Sequence, residues 1–151
     1  MPDTISKISI TTDVSHVTNG ASIATANFST TIDNALTTTN MAMYPLANVV
    51  LGFTPSSNTI AAASAFITLH RRNINISGTN DETAPSSSNR PHYAGTFIVP
   101  ASAASTGTTF VQCEDVMLPG GECEFYLENN TNLTINAGWT LTVKPKTLAA
   151  A

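Results

Sequence analysis

The chain has 151 residues, the size of one ordinary domain, and 11% of them are charged, where a typical soluble domain carries roughly 25%. Threonine, serine and asparagine fill the gap with 24, 14 and 14 copies, and the apolar share stays at 42%. The balance excludes disordered chains, which pair low hydrophobicity with high charge, phosphate-driven nucleic-acid binding, which six Lys and Arg against ten Asp and Glu do not support, and long helical bundles, for which Thr is far too abundant.

Short apolar–polar alternations, each stopped by turn residues, predict half-buried strands along the chain. Ile8 and Ile10 face one way, with Lys7 and Ser9 the other. A second strand is expected from Ile23 to Ile32, entered through Asn19-Gly20, and a third from Asn48 to Phe53, ending at Pro55. Ala61 to Ile76 reads as one long strand or two, with Phe66, Thr68 and His70 on one face. Tyr93 to Val99 lies between Pro91 and Pro100. Phe110–Val116, Glu122–Glu128 and Asn132–Val143 complete a set of about eight. No stretch keeps a helical period. The reading is an all-β, single-domain antiparallel sandwich over residues 1–151, and a jelly roll is the commonest eight-stranded form. Two irregular stretches are expected, Asn34–Met43 between the sheets and a long loop over residues 73–91. Residues 1–6 read as an N-terminal arm and 148–151 as an uninformative tail.

The N-terminus, Met1-Pro2-Asp3-Thr4, has no basic region before an apolar stretch, and no apolar run approaches the roughly 18 residues that span a bilayer. These signs point to a soluble chain made in the cytosol, with no membrane or nucleic-acid partner. Cys113 and Cys123 flank the turn Leu118-Pro119-Gly120-Gly121, so a hairpin would bring them opposite each other. Buried thiols are preferred to a disulfide for a cytosol-made chain.

Residues for chemistry are sparse. His16, His70 and His92 sit in unrelated segments without metal-ligand spacing. There is no nucleophile elbow, P-loop or dinucleotide glycine pattern. Asn73-x-Asn75-x-Ser77-Gly78 mimics the start of a calcium loop, but its ligand positions are uncharged and no glutamate follows at the twelfth. No metal, cofactor or catalytic residue is expected. Five acids, Glu114, Asp115, Glu122, Glu124 and Glu128, surround the Pro119-Gly120 turn, and the last three share strand parity. They read as a solvated face able to meet a basic partner. The single Trp139 reads as core, beside Phe125 and Leu141, in preference to a sugar-stacking platform.

Two stretches are informative together. Leu69-His70-Arg71-Arg72 runs on through Gly78-Thr79-Asn80-Asp81 and Pro85 to His92-Tyr93-Ala94-Gly95-Thr96-Phe97-Ile98-Val99. The second, Leu118-Pro119-Gly120-Gly121-Glu122-Cys123-Glu124-Phe125-Tyr126-Leu127-Glu128-Asn129, continues to Ala137-Gly138-Trp139-Thr140-Leu141-Thr142-Val143-Lys144-Pro145-Lys146-Thr147. Their order and spacing resemble the head decoration, or cement, proteins of tailed bacteriophages, which have a jelly-roll fold. The resemblance covers residues 66–147. It implies a non-enzymatic protein on the outside of the virion head that bridges major capsid protein subunits and forms a homodimer or homotrimer. Arg71, Arg72 and Arg90, with Asn80 and Asp81, flank or occupy the long loop and are the candidate coat-docking residues, the arginines being read equally as loop-end solvation. The rival reading is a carbohydrate- or receptor-binding jelly-roll module of a tail fibre or spike.

Overall fold

The computed structural model describes residues 5–10, 12–37, 44–61, 65–90 and 92–150, with 5–10 and 147–150 described by backbone alone. Eight strands run through the described residues: β1 (Ile5–Ile10), β2 (Val14–Gly20), β3 (Leu46–Phe53), β4 (Phe66–Asn73), β5 (His92–Ile98), β6 (Thr109–Met117), β7 (Cys123–Asn129) and β8 (Trp139–Ala150). They form two antiparallel sheets. The larger has the order β1–β8–β3–β6, with β2 also on β8, and the smaller has the order β5–β4–β7.

Every connection from β3 onward crosses between the sheets except β4–β5. Residues 21–37 complete the wrap. They run antiparallel along the free edge of β7 and the segment after it, through bridges at Leu36–Cys123 and Phe28–Glu128 on the strand and Ile23–Ile135 beyond its end. With that segment in its place, β1/β2–β8–β3–β6 faces 21–37–β7–β4–β5, which is the paired Greek-key order of a jelly roll. The all-β sandwich of about eight strands expected from the alternation is the observed architecture.

The interior is filled from both sheets, with Val49, Leu51, Phe53, Ile67, Leu69, Phe97, Phe125, Leu127, Trp139 and Leu141 almost fully buried. Each such side chain contributes roughly 1.5–3 kcal/mol by leaving water. Trp139 belongs to this core, and its indole N–H donates to the Ala21 carbonyl at 2.7 Å. It packs against Gly20, where a Cβ would collide with the indole ring.

The element boundaries differ from expectation in instructive places. Residues 23–32 make isolated bridges and no strand, because a turn at Thr25–Ala26, with Ala26 at φ 59°, breaks the ladder. β2 escaped the period-2 reading because its register shifts twice against β8, burying the adjacent His16 and Val17 together. β8 starts at Trp139, seven residues later than expected, and runs through the supposed tail to Ala150. It contains Pro145, normally barred from a paired strand for want of an N–H. β2 pairs with β8 as far as Val14–Val143, and β1 takes over at Ile10–Lys146, so Pro145 sits at the seam where β8 changes partner. Of the expected N-terminal arm, Ile5 and Ser6 belong to β1, and residues 1–4 lie outside the described residues. Residues 38–43 and 62–64 lie outside them as well.

Candidate functional site

β4 alternates regularly against β7, so Ile67 and Leu69 point into the core while Thr68, His70 and Arg72 face outward. Across from them on β7 stand Glu128, Tyr126 and Glu124. This outer face is roofed on one side by residues 27–30 and on the other by the loop 74–90. Two of the arginines singled out in the sequence, Arg72 and Arg90, meet acids here. Arg72 Nε donates to Glu124 Oε2 at 2.7 Å, and its Nη2 lies 3.8 Å from Asp81. Arg90 forks onto Glu128 Oε1 at 2.6 and 3.1 Å, and His70 Nε2 donates to Glu128 Oε2 at 2.8 Å. Phe28 stacks against this group, 5.3 Å from the His70 ring and 5.7 Å from the Arg90 guanidinium.

The electrostatics follow from this pairing. Burial works to raise the Glu128 pKa, but the hydrogen bonds from Arg90 and His70 outweigh it and hold the carboxyl below its ordinary 4.5. Tyr126 donates its hydroxyl to Glu124 at 2.7 Å, and burial together with that carboxylate pushes its pKa far up. Glu82 accepts from the Asn73 backbone N–H at 2.7 Å, from the Asn73 amide at 3.2 Å and from His92 at 3.0 Å, fastening the loop to β4 and β5. Asn80 donates to Ser77 Oγ at 2.6 Å, and Asp81 accepts the Asn75 N–H at 3.0 Å, so both of these docking candidates brace the loop from within.

The five acids do not form one face. Glu124 and Glu128 lie on β7 of the smaller sheet, and Glu122 precedes them, holding the Asn75 amide. Glu114 and Asp115 lie on β6 of the larger sheet. There they form a bulge opposite Asn48, with Asp115 at φ 54°, and Asp115 reaches the nearly buried Lys146. The hairpin expectation that united them fails because β6 and β7 belong to opposite sheets. For the same reason the cysteines are not cross-strand partners. Both are free thiols, and burial raises both pKa values, that of Cys123 to about 12.

The sequence reading missed two features. His16 is fully buried and bonds across the interior, donating from Nδ1 to the Asn34 carbonyl at 2.6 Å and accepting the Phe125 N–H at Nε2 at 3.0 Å. Arg71, grouped in the sequence with Arg72 and Arg90, has neither their face nor their partners. It occupies an inward register position on β4 and opens into a cavity of about 560 Å³ bounded by β5, β6 and the turn after β6. Among the described residues no group of three or more His, Cys, Asp or Glu is placed to hold a metal ion. Comparisons with protein-family models, curated proteins and solved structures found no match to this chain.

Proposed function

We propose that the chain is a non-enzymatic structural protein of a tailed-phage virion, seated on the outer surface of the head, where it bridges major capsid protein subunits as a homodimer or homotrimer. It is made in the host bacterial cytoplasm and joins the particle there. The resemblance over residues 66–147 suggests this reading, and one structural observation supports it above others. The charged side chains of the outer face are engaged with one another, while Tyr93, Ile98, Phe110 and Met117, at 68, 71, 69 and 72% exposure, stand on the two strands that end the sheets on one side. Aromatic and methionine side chains in a surround of uncharged polar groups are the composition of protein–protein contact surfaces. A neutral surface of hydroxyls and amides is also buried without stranding ions, each of which would cost several kcal/mol unpaired.

The direct test mixes the purified chain with expanded heads that lack their decoration. The expected result is saturable co-sedimentation. A chain that stays in the supernatant at all concentrations ends this reading. A second reading, binding of a neutral sugar, draws on a hollow of about 370 Å³ above β7 lined by Phe28, Tyr126, Pro85, Asn27 and Thr30. Its mark is a glycan-array signal that disappears in Phe28→Ala, whereas the buried Trp139 has no part in it.

A further inference from the structure

The chain has six Lys and Arg, of which Lys7 has no described side chain. Four of the other five are paired with carboxylates: Arg72 with Glu124 and Asp81, Arg90 with Glu128, Lys144 with Asp13 and Lys146 with Asp115. Arg71 is the exception among the described residues. Its guanidinium makes one long hydrogen bond, 3.3 Å from Nη1 to the Met117 carbonyl, and its Nε is buried with no partner. An arginine carries five N–H donors in a planar fork, and a buried donor left without an acceptor has lost its water with nothing in return. The fold holds this group open at a cavity of about 560 Å³ otherwise lined by Tyr93, Ala94, Met117, Leu118 and Pro119, with Asp115 already held by Lys146.

We propose that this cavity is the docking point for an acidic side chain of the partner protein, an Asp or Glu next to an apolar residue. The proposal rests on the decoration reading and names the chemistry of the coat surface it meets. The carboxylate takes the Arg71 fork, whose planar donors match its two oxygens. The apolar neighbour packs on Met117 and Tyr93, which stand 72 and 68% exposed at the rim. Tyr, Met and Arg together are the residue types enriched at the centres of protein interfaces. That rim is what separates a protein segment from a free anion, which has no use for it. A second copy of this chain is the poorer occupant, because its described carboxylates are already engaged. Asp13, Asp81, Asp115, Glu82, Glu124 and Glu128 are in ion pairs, and Asp33, Glu114 and Glu122 accept from Thr18, Gln112 and Asn75.

The experiment measures binding of the full chain to undecorated expanded heads for the wild type, Arg71→Gln, Arg71→Lys and Met117→Glu, with a thermal melt of each. Arg71→Gln is expected to weaken binding at least about thirtyfold, the low end for removing one member of a desolvated charge pair. Arg71→Lys, which keeps the charge and loses the fork, recovers only part of it. Met117→Glu changes an exposed side chain, leaves the melt in place, and sets a like charge against the incoming carboxylate, so it weakens binding even where Arg71→Gln folds poorly. A wild type that does not bind heads removes the decoration reading itself. Wild-type binding matched by both Arg71→Gln and Met117→Glu keeps that reading and overturns the docking point. Displacement by acetate or phosphate at constant ionic strength, with Met117→Glu unimpaired, makes the cavity an ion site and likewise overturns it.

Discussion

Gly95 on β5 faces Cys113 on β6 across the sandwich, and a Cβ added to Gly95 would meet the sulfur well inside contact distance. Its backbone φ lies outside the left-handed region, so the demand for glycine is steric. Gly95→Ala is expected to destabilise the protein by about 1–3 kcal/mol through overpacking. Cys113→Ala removes the obstructing atom, so the double variant loses less than Gly95→Ala alone, with a coupling of about 0.5–3 kcal/mol in a denaturation cycle. Simple additivity would show that the two residues do not compete for the same space. Neither partner announces the other in the sequence. Gly95 reads as a gap in an apolar strand, and the opposing thiol is supplied by a different sheet. Trp139 was legible as core because it alternates with Leu141 and Val143. The role of His16 was not, because its two partners come from Asn34 and Phe125, remote in the chain.

Between elements, the long loop is ordered by carboxylates. Glu82 holds Asn73 at the end of β4 and His92 at the start of β5, closing the base of the loop. Burial works to raise its pKa, and the bonds from Asn73 and His92 outweigh that, keeping it below the ordinary 4.5. With a lowered folded value, its stabilisation is in place above 4.5 and fades as pH falls through that folded value. Glu82→Ala is expected to speed proteolysis within residues 74–90 and exchange of the Asn73 amide, while the global unfolding midpoint moves little. Unchanged protection would show that Asn89, which donates to the carbonyls of Thr83 and Ala84, suffices to hold the loop. The strands themselves were largely readable, since β3, β5, β6 and β7 follow their alternation to within a few residues. What strand periodicity does not carry is the sheet each strand joins. That is why the acids around Pro119 look like one face in the sequence and divide between two sheets in space.

Across the whole molecule, His16 ties the two sheets together. It stands on β2 of the larger sheet and accepts from Phe125 of the smaller one, an arrangement suited to the neutral ring. Burial lowers its pKa from 6.5, only partly offset by its bonds to the backbone at Phe125 and Asn34. The unfolded chain therefore takes up a proton first, so stability is full above 6.5 and declines as pH falls from there toward the lower folded value. His16→Gln is expected to be less stable at neutral pH and to show a flatter stability profile as pH falls below 6.5, read by urea unfolding at each pH. An equally steep profile in the variant would assign that slope to other groups. This loss begins at 6.5, whereas that of Glu82 and Glu128 begins only below 4.5, so the first decline on acidification reads His16.

The seam at Pro145 gives the sandwich a direction of mechanical weakness. Among the described residues β1 is bonded only to the last residues of β8, with Ile5 opposite Ala150, so these two points lie side by side at one end of an antiparallel ladder. A force pulling Ile5 away from Ala150 loads the hydrogen bonds one after another, as a zip opens, and not all at once in shear. Peeling that begins there meets a break at Pro145, where β1 ends and the separate ladder to β2 begins. A pull applied in this direction therefore strips a single strand before it reaches the strands that enclose Trp139, whereas a load pressed onto the sheet faces is carried by the whole core.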